Sequence, residues 1–133
     1  MSALEDLVID TREADPDLIA SLLAPFLRID RASAHIVPQE AWNRIPNDVR
    51  VLLFLIARKA MLALALPLPR EAATAVEIER GADLPAGAAR PIMKRLLRQR
   101  LVQRAPDGGY AVPNYALIRI RGLVKDWLEE PSP

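Results

Sequence analysis

Apolar positions recur along the chain with two different periods, and the change from one period to the other marks the elements. Leu18, Ile19, Leu22, Leu23 and Phe26 follow a helical spacing. Asp15-Pro16 stands before them as an N-cap and a proline at the first helical position, and Pro25 should close the helix. From Phe26 to Pro38, Leu27 and Ile29 and then Ile36 and Val37 flank the polar Asp30-Arg31-Ala32-Ser33, which predicts a two-stranded hairpin or an extended arm. Asn47, after Pro46, is a second N-cap candidate. It opens a helix from Asp48 to about Leu66 that is apolar on nearly every side and is ended by Pro67 and Pro69.

Thr74-Ala75-Val76-Glu77 has the spacing of a capping box, in which the hydroxyl and the carboxylate each satisfy a backbone N–H at the helix start. A short helix to Arg80 follows, then a turn from Gly81 to Pro85. A further helix runs to about Gln99 with Ala89, Ile92, Met93, Leu96 and Leu97 on one side. Pro91 requires that regular helix start at Ala88 or later, or that the axis bend near Gly87, whose carbonyl it would otherwise meet. Leu101-Val102-Gln103-Arg104 and Tyr110-Ala111-Val112 alternate like strands around Pro106-Asp107-Gly108-Gly109, a hairpin. Tyr115 to Glu130 closes the chain as an amphipathic helix with Leu117, Ile120, Val124, Trp127 and Leu128 inward.

The order helix, helix, turn, helix and hairpin over residues 47–113 resembles the winged helix-turn-helix domain. Thr74, Glu77 and Ile78, then Leu84, then Ala89, Met93 and Leu96, then Leu101-Val102, and finally Asp107-Gly108-Gly109 carry the resemblance. It implies a mainly α fold with small β-hairpins, to which the pattern adds an N-terminal helix and extended or hairpin arm over residues 1–46, packing on the core, and a C-terminal helix and tail over residues 114–133, all in one compact domain. It also implies that the third helix enters the major groove of DNA. With Ala89 at zero and 100° per residue, Arg90, Lys94 and Arg98 fall at about 100°, 140° and 180°, and Arg95 at about 240°. The side opposite the core is therefore basic. Three features depart from the family. Pro85, Ala86, Gly87 and Ala88 offer bases no side-chain hydrogen bond, Arg100 stands where a glycine commonly precedes the Leu-Val pair, and the wing turn carries Asp107 with no base at its tip. Arg104 at the foot of the wing is the exception.

Charge sharpens this picture. In a chain of 133 residues, 18 Lys and Arg nearly balance 17 Asp and Glu, yet residues 1–20 hold six acids against Arg12 alone. Residues 85–105 hold Arg90, Lys94, Arg95, Arg98, Arg100 and Arg104 with no acid. A one-signed block is either a solvated face or the footprint of a polyanion, and the absence of an i,i+4 acid favours the footprint. With 51% apolar residues the chain is long enough for one core, and without cysteine it has no disulfide, thiolate nucleophile or cysteine-bound metal. The acidic start is unlike a signal or transit peptide, which makes the cytoplasm the expected location. Val51 to Leu68 is 18 residues, but Arg58 and Lys59 in its middle argue against a membrane span.

Candidates for chemistry are few. His35 has no carboxylate or hydroxyl neighbour for a triad, Glu77 is explained by capping, and no nucleotide-binding, zinc-protease or hydrolase motif occurs. No enzyme and no cofactor are expected. The expected function is duplex DNA binding through Arg90, Lys94, Arg95, Arg98 and Arg104, as a transcriptional or replicon regulator. The rival is a winged-helix protein adaptor that docks through the apolar 51–66 helix or the acidic N-terminus. Six consecutive apolar residues from Val51 to Ile56 cover every side of a helix, which predicts a homodimer or protein partner through apolar helices.

Overall fold

The computed structural model describes Leu4 and residues 15–128, with side chains as far as Lys125. The acidic segment before Asp15 and the inward placement of Trp127 and Leu128 therefore lie outside the described residues. The chain is mainly helical with small antiparallel hairpins. Its elements are α1 (Pro16–Leu23), β1 (Leu27–Asp30), β2 (His35–Pro38), a 3₁₀ turn (Glu40–Arg44), α2 (Asn47–Ala63), α3 (Ala75–Gly81), α4 (Ala89–Arg98), β3 (Gln103–Arg104), β4 (Tyr110–Ala111) and α5 (Leu117–Leu128).

Local chemistry accounts for most boundaries. The Asp15 carboxylate accepts from the amides of Asp17 and Leu18 at 3.0 and 3.2 Å and starts α1. In α3 both halves of the capping box form: Glu77 N donates to Thr74 Oγ1 at 3.2 Å and Thr74 N to Glu77 Oε1 at 2.9 Å. Helix α2 differs from expectation at both ends. Asn47 lies inside the helix without a capping bond, behind Pro46, and the helix stops at Ala63 rather than near Leu66. Ala65 turns left-handed, with φ of 56°, and Leu66 N closes on Met61 O at 2.9 Å. Pro67 disfavours helical geometry at Leu66, so the chain cannot continue. Helix α4 starts at Ala89, which puts Pro91 in the first turn, where the bond it cannot donate is not required.

One hydrophobic core runs from Ile19 on α1 to Val124 on α5. Helix α2 is its axis, with α1, α3, α4 and β4 packed against it. Every residue from Val51 to Lys59 is buried, so this helix is enclosed by its own chain. The run from Val51 to Ile56 therefore needs no partner to cover it, whereas Leu62 near the end of α2 stays exposed. The apolar run that covers all sides of the helix matches neighbours on all sides rather than a subunit interface. Large apolar side chains do remain exposed elsewhere, at Leu64 beyond the end of α2 and at Ile118 and Leu123 on α5.

Two hairpins complete the fold. Strands β1 and β2 pair Leu27 with Pro38 and Asp30 with His35. Strands β3 and β4 are shorter than the alternation predicts, pairing only Gln103 with Ala111 and Arg104 with Tyr110, because Leu101 and Val102 are drawn into the core instead. A third segment joins this second hairpin. Ala73 and Tyr110 exchange backbone bonds of 2.9 and 2.8 Å, which fixes the hairpin to the residue just before α3.

Two cations in the middle of α2 hold that segment in place. Arg58 is 6% exposed, and its Nε donates to Glu71 O at 2.7 Å while Nη2 donates to Arg70 O and Ala72 O at 3.0 Å each. Lys59 pairs with the Glu71 carboxylate at 2.9 Å. A guanidinium is suited to this task because its planar fork reaches several carbonyls at once.

Candidate nucleic-acid interface

Helical periodicity decides which α4 side chains face solvent. Ala89, Ile92, Met93 and Leu96 are buried, and Arg90, Lys94, Arg95 and Arg98 are all exposed. Arg90, Lys94 and Arg98 make no hydrogen bond or ion pair with any described residue. Arg95 departs from the expectation of a free cation. It lies on the flank of α4 that faces α2, and its Nη2 and Nε approach the Asp48 carboxylate at 2.7 and 3.4 Å. The acid that the basic run lacks locally is thus supplied from the first turn of α2, and Arg95 joins the two helices.

Arg104 meets the α4 row from the hairpin. Its guanidinium lies 5.5 Å from the Tyr110 ring centroid, and its Nη2 is 3.4 Å from the Tyr110 hydroxyl. The start of α3, the outer side of α4 and the hairpin enclose an open cleft of about 670 Å³, lined by Val76, Arg90, Lys94, Arg104 and Tyr110 among others. Three of the five predicted residues therefore share one concave surface. Arg98 continues the row beyond it on α4, and Arg95 points to the opposite flank.

The approach to α4 explains how the row is presented without a capping hydroxyl. Ala88 N bonds to Pro85 O at 3.1 Å, closing a tight turn in which Gly87 takes φ of 85°. A side-chain-bearing residue would be strained at that angle. The first amide of α4, Ala89 N, is capped by Glu79 Oε2 from α3 at 2.9 Å. Glu79 thus supplies the missing cap across the turn and links the two helices.

Asp107, at the turn of the β3–β4 hairpin, is paired. Arg70 contacts the Asp107 carboxylate through Nη1 and Glu77 Oε1 through Nη2, the latter at 3.1 Å. Asp107 also accepts from Gly109 N at 3.1 Å. The Gly109 amide first, and the Arg70 guanidinium second, hold the Asp107 carboxyl below the ordinary carboxylate range. Glu77 is held low chiefly by the Thr74 amide, with the Thr74 hydroxyl and Arg70 adding to it against the opposing effect of burial. Arg70 therefore offsets part of the negative charge that Asp107 and Glu77 bring to this side of the hairpin.

Sequence reading missed Arg70, Val76 and Glu79. Arg70 and Glu79 act across turns that periodicity does not describe. Val76 shows 52% of its surface at the start of α3, where an exposed valine in a capped first turn was the one available signal. Among the described residues, no group of His, Asp or Glu could hold a metal ion, and no helix is long and apolar enough to cross a membrane. Comparison with protein-family models, with curated proteins and with solved structures returns no match.

Proposed function

We propose that residues 47–113 form a winged helix-turn-helix that binds duplex DNA, with α4 in the major groove and the β3–β4 wing beside it, as a transcriptional or replicon regulator. The observation that carries this reading is the row of exposed, unpaired cations Arg90, Lys94 and Arg98 on α4, continued by Arg104 across the cleft. A solvated face would retain acids to relieve its own repulsion. Here Asp48 relieves only Arg95, on the flank toward α2, and Asp107 and Glu77 pair with Arg70, so none of these acids pairs with Arg90, Lys94, Arg98 or Arg104. The pairing of Ala73 with Tyr110 also supports the winged-helix reading, because it ties the wing to the segment between α2 and α3.

This geometry favours affinity over sequence readout. Four free cations can neutralise phosphates, whereas Ala86, Gly87 and Ala88 bring no donor to base edges. Specificity then rests on an Arg–guanine pair from Arg90 or Arg98, on contact between Val76 and a thymine methyl, or on DNA shape. Titrating salt against a short duplex of random sequence tests the reading. If all four cations contact phosphates, the log–log slope is about −3.6, at roughly −0.9 per contact. Lys94→Ala flattens it by about one contact, while Arg95→Ala changes it by less because Asp48 already screens that charge. A slope near zero would overturn the proposal.

A second reading, docking on a protein partner, keeps support from one feature. The groove between α1, β1 and the end of α2, about 380 Å³ in volume, is lined mainly by apolar side chains such as Ile19, Leu23, Leu27 and Leu64. Concentration-dependent sedimentation of the chain alone distinguishes self-association at this groove from a monomer.

A further inference from the structure

The β1–β2 hairpin, α2, the loop after it and α3 enclose another solvent-open cleft, of about 600 Å³, which none of the cations of the α4 row lines. Phe54, Met61, Ile36 and Leu68 form its apolar walls. Its charged lining consists of Arg58, Arg80 and Glu77, with His35 beside them.

Arg58 is the unusual member. It is 6% exposed, and no carboxylate among the described residues lies within ion-pair distance of it. The two nearest in the chain's interior are engaged, Glu71 with Lys59 at 2.9 Å and Glu77 with Arg70 at 3.1 Å. Three backbone carbonyls satisfy Nε and Nη2, but Nη1 makes no hydrogen bond with a described residue. Buried charges in proteins are ordinarily paired, because removing an ion from water costs several kcal/mol that hydrogen bonds to neutral groups repay only in part. Nη1 is not a buried donor without a partner but opens onto the solvent of the cleft, so a largely buried guanidinium presents one free edge to a space of the size that holds small molecules, where an anion can replace the water.

We propose that this cleft binds a small monocarboxylate with an apolar aromatic or branched body. The carboxylate sits on Arg58 Nη1 with Arg80 at the rim, and the body lies against Phe54, Met61, Ile36 and Leu68. Charge and shape both select this class. Glu77 in the same lining repels a phosphate dianion more strongly than a singly charged carboxylate, and the apolar walls disfavour a compact inorganic anion. The site stands apart from the DNA reading, since no residue of α4 or of the wing takes part in it.

The chain has three methionines, and Met61 lines the cleft while Met93 is buried on α4, so methyl NMR of ¹³C-methionine-labelled protein reports the site with an internal control. Titration with 3-phenylpropanoate should move the Met61 methyl signal saturably and leave Met93 in place. The neutral 3-phenylpropanamide should bind at least about tenfold more weakly, the discrimination expected of a charge-assisted bond, about 1.4 kcal/mol. Arg58 holds the backbone before α3, so its replacement risks the fold. Leu68→Trp, which fills the cleft from a half-buried loop position, should abolish the Met61 response while the Met93 signal stays native. Met61 unmoved at about 20 mM ligand, equal binding of acid and amide, or an undiminished response in Leu68→Trp would each overturn the proposal.

Discussion

Helices α2, α3 and α4 all end on a left-handed residue that is not glycine: Ala65, Asp83 and Arg100, with φ of 56°, 57° and 59°. Each turn is closed by the amide of the leucine that follows, from Leu66 to Met61 O, Leu84 to Glu79 O and Leu101 to Leu96 O, at 2.9, 2.8 and 3.0 Å. Each of those leucines is buried. The closing bonds and the buried leucines hold these residues where an L side chain costs about 1–2 kcal/mol and glycine costs almost nothing. At Arg100 the side chain is exposed and unpartnered, so Arg100→Gly removes the strain without removing a contact. Glycine also frees the unfolded chain, which takes back about 0.4–1 kcal/mol. The expected net is a stabilisation of about 0.5–1 kcal/mol, or about 2–4 °C in Tm for a chain of this size. Arg100→Ala is the control. It deletes the same side chain and the same charge but keeps the strained angle, and should stay within about 0.5 kcal/mol of wild type. Urea unfolding followed by circular dichroism, with calorimetry for Tm, measures both. If Arg100→Gly is no more stable than Arg100→Ala, backbone strain at the end of α4 is not what distinguishes them and the reasoning fails.

Gly81→Ala should destabilise by about 1–3 kcal/mol, since the new Cβ would lie 2.2 Å from Cε1 of Phe54 where α3 crosses α2. Adding Phe54→Leu should recover part of that loss, so that a double-mutant cycle in urea reads a favourable coupling. Asp107 and Glu77 bind protons less readily in the folded chain than in the unfolded one, so the stability they contribute is complete at neutral pH. It disappears as pH falls through and below the ordinary carboxylate range. Arg70→Ala should therefore make the urea midpoint less sensitive to pH between about 5 and 3, and an unchanged acid slope would show that Arg70 does not hold these carboxylates.

How much of this could be read along the chain depended on how far apart in sequence the interacting groups lie. The Asp15 cap, the Thr74–Glu77 capping box, the start of α4 behind Pro91 and both hairpins depend on groups a few residues apart, and the pattern placed them within a residue or two. The outward face of α4 was equally legible, because the helical period gathers the buried Ala89, Met93 and Leu96 on one side and leaves Arg90, Lys94 and Arg98 on another. What could not be read along the chain depended on tertiary neighbours. The six apolar residues at the centre of α2 look the same whether a second subunit or the chain's own α1, α3 and α4 cover them. Arg95 and Asp48, 47 positions apart, share no local period, so Arg95 was counted with the free cations. Arg58, which read as a charge that argues against a membrane span, is instead the buried anchor of the segment before α3.

The most direct measurement of the central proposal compares wild type with the Lys94→Ala/Arg98→Ala double variant for binding to a short random duplex at low salt. Both side chains are exposed and unpaired, so the double variant should keep its fold, with circular dichroism and Tm within the small range of surface substitutions. Wild type should bind the duplex and the double variant should bind at least about tenfold more weakly, with a log–log salt slope flatter by about two phosphate contacts. Equal affinity of the two proteins for DNA would contradict the account and leave α4 as a solvated basic face.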